Sequence, residues 1–227
     1  MNSKFKKNHF LVLKNVINKE TSELLYNYML VKKQVYDTCI EKKYISPFET
    51  MLGIYEKKNE QVPNTYCCYG DILMDTLLLK LQPIMEKNTG LKLNPTYSYT
   101  RVYKKGDVLK RHKDRFSCEI STTLNLGGDK WPIFLESKKN IGTTDDGFLS
   151  ATNNKGTKIN LNSGDMLIYK GNIAEHWREA FTGNDCVQTF LHYNNVLTKN
   201  SDKNIFDGRP HIGLPDYFKD ILNINKL

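Results

Sequence analysis

From residue 93 onward the chain is written in short strands, and this texture constrains the fold more than any single motif. Tyr97 to Tyr103 is rich in aromatic and β-branched residues, Lys105-Gly106-Asp107 makes a turn, and Val108 to Asp114 forms the next strand. Ile120 to Leu126 alternates and stops at Gly127-Gly128-Asp129, and Trp131 to Glu136 follows. Ile159-Asn160-Leu161 leads through Asn162-Ser163-Gly164-Asp165 into Met166 to Tyr169. Gly171-Asn172 precedes Glu175 to Arg178, and Gly183-Asn184-Asp185 precedes Val187 to Tyr193. Short strands at regular spacing predict a sandwich or barrel. Residues 137–157, polar and glycine-containing, read as a long loop.

Helical signals gather before the strands. Residues 9–16 read as a strand, and Asn18 then offers an N-cap, with Glu20 and Glu23 in the first turn before Leu24 to Leu30. Residues 31–69, punctuated by Pro47, Gly53 and Pro63, read as loops with a short strand or helix. Asp71 caps a second helix over about 72–88 that Gly90 closes, and Pro83 predicts a kink or an early end within it. The chain is therefore α+β. We expect a single domain over 1–227: supporting strand and helices at 1–92, a strand core at 93–195, and a C-terminal extension at 196–227 that wraps the surface.

Composition narrows the class. A chain of 227 residues with 39% hydrophobic and 11% aromatic residues can bury a core and is not disordered. No apolar run approaches the roughly 20 residues of a membrane span, and the start MNSKFKKNHF lacks the apolar segment of a secretory signal. Five cysteines, Cys39, Cys67, Cys68, Cys118 and Cys186, show no metal-ligand spacing. Reduced thiols and a cytoplasmic location are the expectation. The net charge of +8 admits a polyanionic partner, but the excess is mostly lysine, which suits a solvated surface as well as nucleic acid.

The chemistry concentrates in Arg111-His112-Lys113-Asp114-Arg115. On a strand, residues two apart project from one face, so His112 and Asp114 aim an imidazole and a carboxylate at a common point. Two such ligands plus a second histidine make a 2-His-1-carboxylate site with open positions, a donor set suited to iron(II), manganese or zinc. His176 lies after the strand Met166 to Tyr169, where a barrel returns to the sheet it left, and is the natural third ligand.

The ordered set Tyr103-x-x-Gly106-x(5)-His112-x-Asp114, then Gly164-Asp165, then His176 and a final strand, resembles the iron(II)/2-oxoglutarate-dependent dioxygenase superfamily, most of all its prolyl-4-hydroxylase-like branch. The strand Phe10 to Val16 with its capped helix is similar to that branch's N-terminal element. The resemblance implies a double-stranded β-helix (jelly-roll) core with supporting helices, and iron(II) held by His112, Asp114 and His176. It implies 2-oxoglutarate and dioxygen as cosubstrates, with ascorbate as a reductant, and no catalytic residue beyond the metal ligands. The implied reaction hydroxylates a protein side chain such as proline, or a small molecule, while 2-oxoglutarate is decarboxylated to succinate.

The family's basic residue for the far carboxylate of 2-oxoglutarate falls here on Asp185 and Cys186, so the carry-over fails. An unpaired carboxylate inside a barrel is costly. Arg178, two residues after His176, is the replacement candidate, because its planar fork can grip a carboxylate bidentately. Tyr103 and Gln188 are further candidate contacts.

Plainer readings stand beside these. Arg178 could pair with Glu175 or Glu179, and Arg115 with Glu119 four residues on. Trp131 and Trp177 read as core aromatics, His192 as core or cavity lining, and Cys118 and Cys186 as small buried hydrophobes. Two rival functions remain open: a non-catalytic jelly-roll module that keeps its ligands for a structural metal, and an oxygenase directed at nucleic acid.

Overall fold

In a computed structural model of the chain, residues 2–46, 49–56, 61–137 and 156–220 are described. Most of the predicted loop at 137–157 lies outside them. Two antiparallel sheets face each other. The larger has seven strands in the order β1 (Phe10–Leu13), β9 (Met166–Tyr169), β6 (Ile120–Gly128), β11 (Asp185–Asn195), β4 (Leu93–Lys104), β3 (Tyr66–Tyr69) and β2 (Ile54–Tyr55). The smaller has four: β5 (Leu109–His112), β10 (Glu175–Arg178), β7 (Ile133–Glu136) and β8 (Thr157–Ile159).

Helices cover the outer face of the larger sheet. A short α1 (Ser3–Asn8), which the sequence signals did not reveal, precedes β1. In α2 (Lys19–Glu41) the Asn18 side chain accepts from Thr21 N at 2.9 Å, capping the first turn. The stripe Ser22, Leu25, Met29 and Tyr36 is buried, as helical periodicity requires of a face laid on a sheet. The helix runs eleven residues beyond Leu30, into a stretch read as loop, because no glycine or proline interrupts 31–41. In α3 (Ile72–Thr89) Asp71 accepts from Met74 N at 3.0 Å, and Gly90 closes the helix in the left-handed conformation. Pro83 neither ends nor splits it. The carbonyl deprived of its partner belongs to Leu79, on the exposed side, where water can satisfy it.

Period-two alternation sorts the larger sheet's residues. On β11, Val187, Leu191 and Tyr193 join the apolar core under the helices together with Val102 of β4. The alternate residues Cys186, Gln188 and Phe190 pair across the register with Tyr103, Arg101 and Tyr99 of β4, and this set faces the smaller sheet. The inner face is thus markedly polar, with buried Thr123, Asn125, Gln188, Arg101 and His192. These buried donors and acceptors sit beside apolar clusters that join the two sheets, Leu135 with Leu167 and Tyr103 with Trp131 and Phe181, and each needs a hydrogen-bond partner.

The described part of the C-terminal extension is anchored by a buried ion pair. It is stitched into the sheet by Arg209, whose guanidinium and the Asp75 carboxylate of α3 are both fully buried, 3.1 Å apart. Arg209 also donates to the carbonyl of Thr96 on β4 at 3.1 Å. Among the described residues no helix is long and apolar enough to cross a membrane. All five cysteines are free thiols.

Candidate metal centre

His112 ends β5 and His176 lies on β10, and the antiparallel register sets them directly opposite each other. Their ring centroids are 4.2 Å apart. The Nδ1 of each ring bonds a backbone carbonyl two residues upstream, Lys110 O at 2.7 Å and Ala174 O at 2.9 Å. A carbonyl only accepts, so each Nδ1 carries the proton and each Nε2 presents a lone pair. These two Nε2 atoms lie 3.6 Å and 3.4 Å from Asp114 Oδ1. Both histidines are buried.

Two lone pairs and a carboxylate oxygen therefore converge in a buried space. This arrangement is repulsive unless a cation or a proton lies at its centre, and nitrogen and oxygen donors of this kind suit a divalent first-row metal. The three groups also shift one another's titration. Burial alone would raise the Asp114 carboxyl, but His176 and His112 reverse that and hold it well below the usual range. Burial works against a charged His176, yet Asp114 outweighs it and the net shift is upward. His112 is lowered by burial and by the neighbouring His176.

Further along β10, Arg178 is almost fully buried. It donates through Nη1 to the carbonyl of Trp131, and through Nη2 to Thr123 Oγ1 at 3.3 Å and Gln188 Oε1 at 3.4 Å. Its Nε has no hydrogen-bond partner. Among the described residues every acceptor it reaches is neutral, and it forms no ion pair with Glu175 or Glu179. Glu175 instead pairs with Arg111 at 2.5 Å. A buried guanidinium without an acidic partner is costly.

The other two predicted contacts gather around it. Gln188 donates to Asn125 Oδ1 at 3.0 Å while its carbonyl oxygen faces Arg178. Tyr103 is buried edge-to-face on Trp131, whose ring also carries the Arg178 guanidinium at 5.0 Å. Burial pushes the Tyr103 phenol up to about 12 against the lowering influence of Arg101 and Arg178, so it is a proton donor at neutral pH. Trp131 is a core aromatic, whereas Trp177 is only half-buried and stacks on Phe134. Arg115 does not pair with Glu119; it forms a two-point bridge to Asp207 at 2.8 and 2.6 Å.

Two residues of this space escaped the sequence reading. Tyr169 of β9 stacks on His176 with centroids 4.8 Å apart and is influenced by both Asp114 and Arg178, so it lines the wall between the two. Thr123 of β6 supplies a hydroxyl to Arg178. Strand alternation in Ile120–Gly128 and Met166–Tyr169 was the available signal, since both fall on inward-facing positions.

No family model and no curated protein matches the chain. Solved structures do. The non-haem, α-ketoglutarate-dependent epimerase SnoN from nogalamycin biosynthesis superposes with a TM-score of 0.61 at 12% identity, over 93% of this chain and 91% of that one. The fold is shared with this α-ketoglutarate-dependent epimerase and with the two further structures that follow. A Pseudomonas putida prolyl-4-hydroxylase matches with a TM-score of 0.52 at 13% identity, over 84% of this chain and 95% of that one. HygX from Streptomyces hygroscopicus, solved with nickel and 2-oxoglutarate, matches at 0.54 and 16% identity over 85% of each chain.

Proposed function

We propose that the protein is an iron(II)- and 2-oxoglutarate-dependent oxygenase built on a double-stranded β-helix, with the two sheets as the faces of the jelly roll. His112, Asp114 and His176 would hold the metal. When bound, the iron would supply dioxygen activation coupled to decarboxylation of 2-oxoglutarate to succinate. The protein's own part is to bind, orient and shield. The Nδ1 bonds to Lys110 and Ala174 keep both imidazoles aimed. Arg178 takes the far carboxylate of 2-oxoglutarate, assisted by hydroxyls of Thr123 and Tyr103, while Tyr169 walls the space between that anchor and the metal. The substrate that is oxidised is a protein side chain such as proline, or a small molecule, and hydroxylation is the reaction assigned to it.

The observation that carries this reading is Arg178, a buried guanidinium with only neutral acceptors among the described residues, on the same strand as His176. A module that merely held a structural metal would have no use for an uncompensated charge beside it. The test is anaerobic addition of iron(II) and then 2-oxoglutarate, which should give the weak visible charge-transfer band of the chelate. His176→Ala should abolish that band. A wild-type protein with neither a band nor succinate formation in air would sink the assignment.

A further inference from the structure

We propose that Ser121 and His192 are positioning residues for Asp114, acting in series: His192 fixes Ser121, and Ser121 fixes the second oxygen of the carboxylate. The proposal rests on the reading of His112, Asp114 and His176 as a metal centre.

The two carboxylate oxygens of Asp114 have separate surroundings. Oδ1 faces the two histidine Nε2 atoms, whereas Oδ2 accepts from Ser121 Oγ at 3.1 Å. Ser121 Oγ has two other neighbours, Cys118 O at 2.8 Å and His192 Nδ1 at 2.9 Å. A serine hydroxyl owns one proton. The carboxylate and the carbonyl can only accept, and between them they take that proton. The third contact is favourable only if His192 donates, so its proton lies on Nδ1 and the order is His192 Nδ1–H to Ser121 Oγ–H, whose proton Asp114 Oδ2 shares with Cys118 O.

The relay is held from both sides. Ser121 and His192 are cross-strand partners in the register of β6 and β11, so the larger sheet's own pairing sets their spacing. The His192 ring lies against Tyr97 at 4.6 Å, and Tyr97 in turn stacks on Tyr69 at 4.7 Å. On the other flank the backbone passes so close at Gly171 that a Cβ there would come within 2.3 Å of Asp114 Oδ2 and 2.8 Å of Ser121 Oγ. Asp114 N also donates to Gly171 O at 2.9 Å. These contacts hold Oδ2 while Oδ1 is directed at the histidines. Holding a ligand in this way before the metal arrives lowers the cost of ordering it on binding.

A rival use of the same atoms is a second cation site, because Asp114, Cys118 and His192 also offer ligand atoms within 4.8 Å of one another. Two of those donors are already engaged: His192 Nδ1 by Ser121, and Cys118 Sγ by the Tyr97 hydroxyl at 3.1 Å. Positioning is therefore the favoured role.

The test titrates metal-free, full-length protein with cobalt(II), read by its visible d–d absorption, for wild type, Ser121→Ala, His192→Phe and the double variant. Ser121→Ala should weaken cobalt binding about 10- to 100-fold. His192→Phe, which keeps the ring against Tyr97, should weaken it by less. The double variant should match Ser121→Ala to within about twofold, since residues acting in series are not additive. His192→Asn, whose amide can donate in place of Nδ1–H, should recover most of the loss. Thermal melts of the metal-free variants separate this from a purely structural role, which would lower stability and leave cobalt affinity alone. Wild-type affinity in Ser121→Ala, losses that multiply in the double variant, or two cobalt ions in wild type and one in His192→Phe would each overturn the proposal. A wild type that binds no cobalt overturns the metal centre along with it.

Discussion

Replacing Arg178 by methionine separates a ligand anchor from a structural cation, because the two roles predict opposite energetics. Without 2-oxoglutarate the side chain gives up three hydrogen bonds to neutral acceptors, together about 5–9 kcal/mol at the net value for bonds with a charged partner. Against this, the variant no longer keeps a guanidinium out of water with no acidic partner among the described residues, which costs several kcal/mol per ion. Methionine is flexible enough to fill the vacated space. The two contributions roughly offset, so the ligand-free variant should lose no more than about 3 kcal/mol. With metal and 2-oxoglutarate the balance tips against the variant, since deleting one partner of a buried charge pair costs about 2–5 kcal/mol. A mid-range loss of about 3 kcal/mol is roughly a 150-fold rise in Kd. At 100 times the wild-type Kd, ligand stabilises wild type by about 2.7 kcal/mol but the variant by only about 0.3 kcal/mol. Anaerobic thermal unfolding across a 2-oxoglutarate titration, with calorimetric Kd values alongside, reads both halves. The reasoning fails if Arg178→Met binds 2-oxoglutarate as wild type does. It fails equally if the ligand-free variant is destabilised by more than about 3 kcal/mol, which would mean the charge is already compensated within the fold.

Two other outcomes follow from the geometry. Gly171→Ala forces a Cβ to within 2.3 Å of both Asp114 Oδ2 and Cys118 O, so it should cost about 1–3 kcal/mol in urea unfolding and weaken metal binding. Unchanged metal affinity would show that Asp114 is not held there. Asp207→Asn should remove a pH-dependent contribution to stability. Burial pushes the Asp207 carboxyl up, but Arg115 and Lys219 more than reverse this and hold it far below the ordinary range. A depressed carboxylate stabilises fully above the unfolded value near pH 4 and loses that contribution as pH falls towards the folded value. Urea unfolding at pH 7, 5 and 3 should show the gap between Asp207→Asn and wild type shrinking below about pH 4, whereas a constant gap would exclude the linkage.

Legibility in the sequence followed interaction range. The caps at Asn18 and Asp71 and the alternation within β6 and β11 are written in adjacent residues, and so are the helical stripe of α2 and the common face of His112 and Asp114. The strand texture after residue 93 anticipated the sheets, and the ordered motif anticipated a fold shared with the α-ketoglutarate-dependent epimerase and the prolyl-4-hydroxylase. Two departures came from weighing local signals against tertiary support: α2 continues through a polar stretch because Tyr36 still packs inward, and Pro83 is absorbed by α3.

Ion pairing was the least legible feature. Arg115 found Asp207 rather than its neighbour Glu119, and Arg209 found Asp75 across the chain inside the protein. A side chain's charge is fixed by its own chemistry, but its partner is chosen by which distant segments desolvate together. The same reason governs the candidate site. The residue types of the metal cluster, and the motif spacing that brings them into question, belong to the sequence. Only the register between β6 and β11 sets His192 beside Ser121, and only the closure of one sheet over the other leaves Arg178 buried among neutral acceptors of the described residues, because strand pairing and burial are properties of the whole assembly of strands.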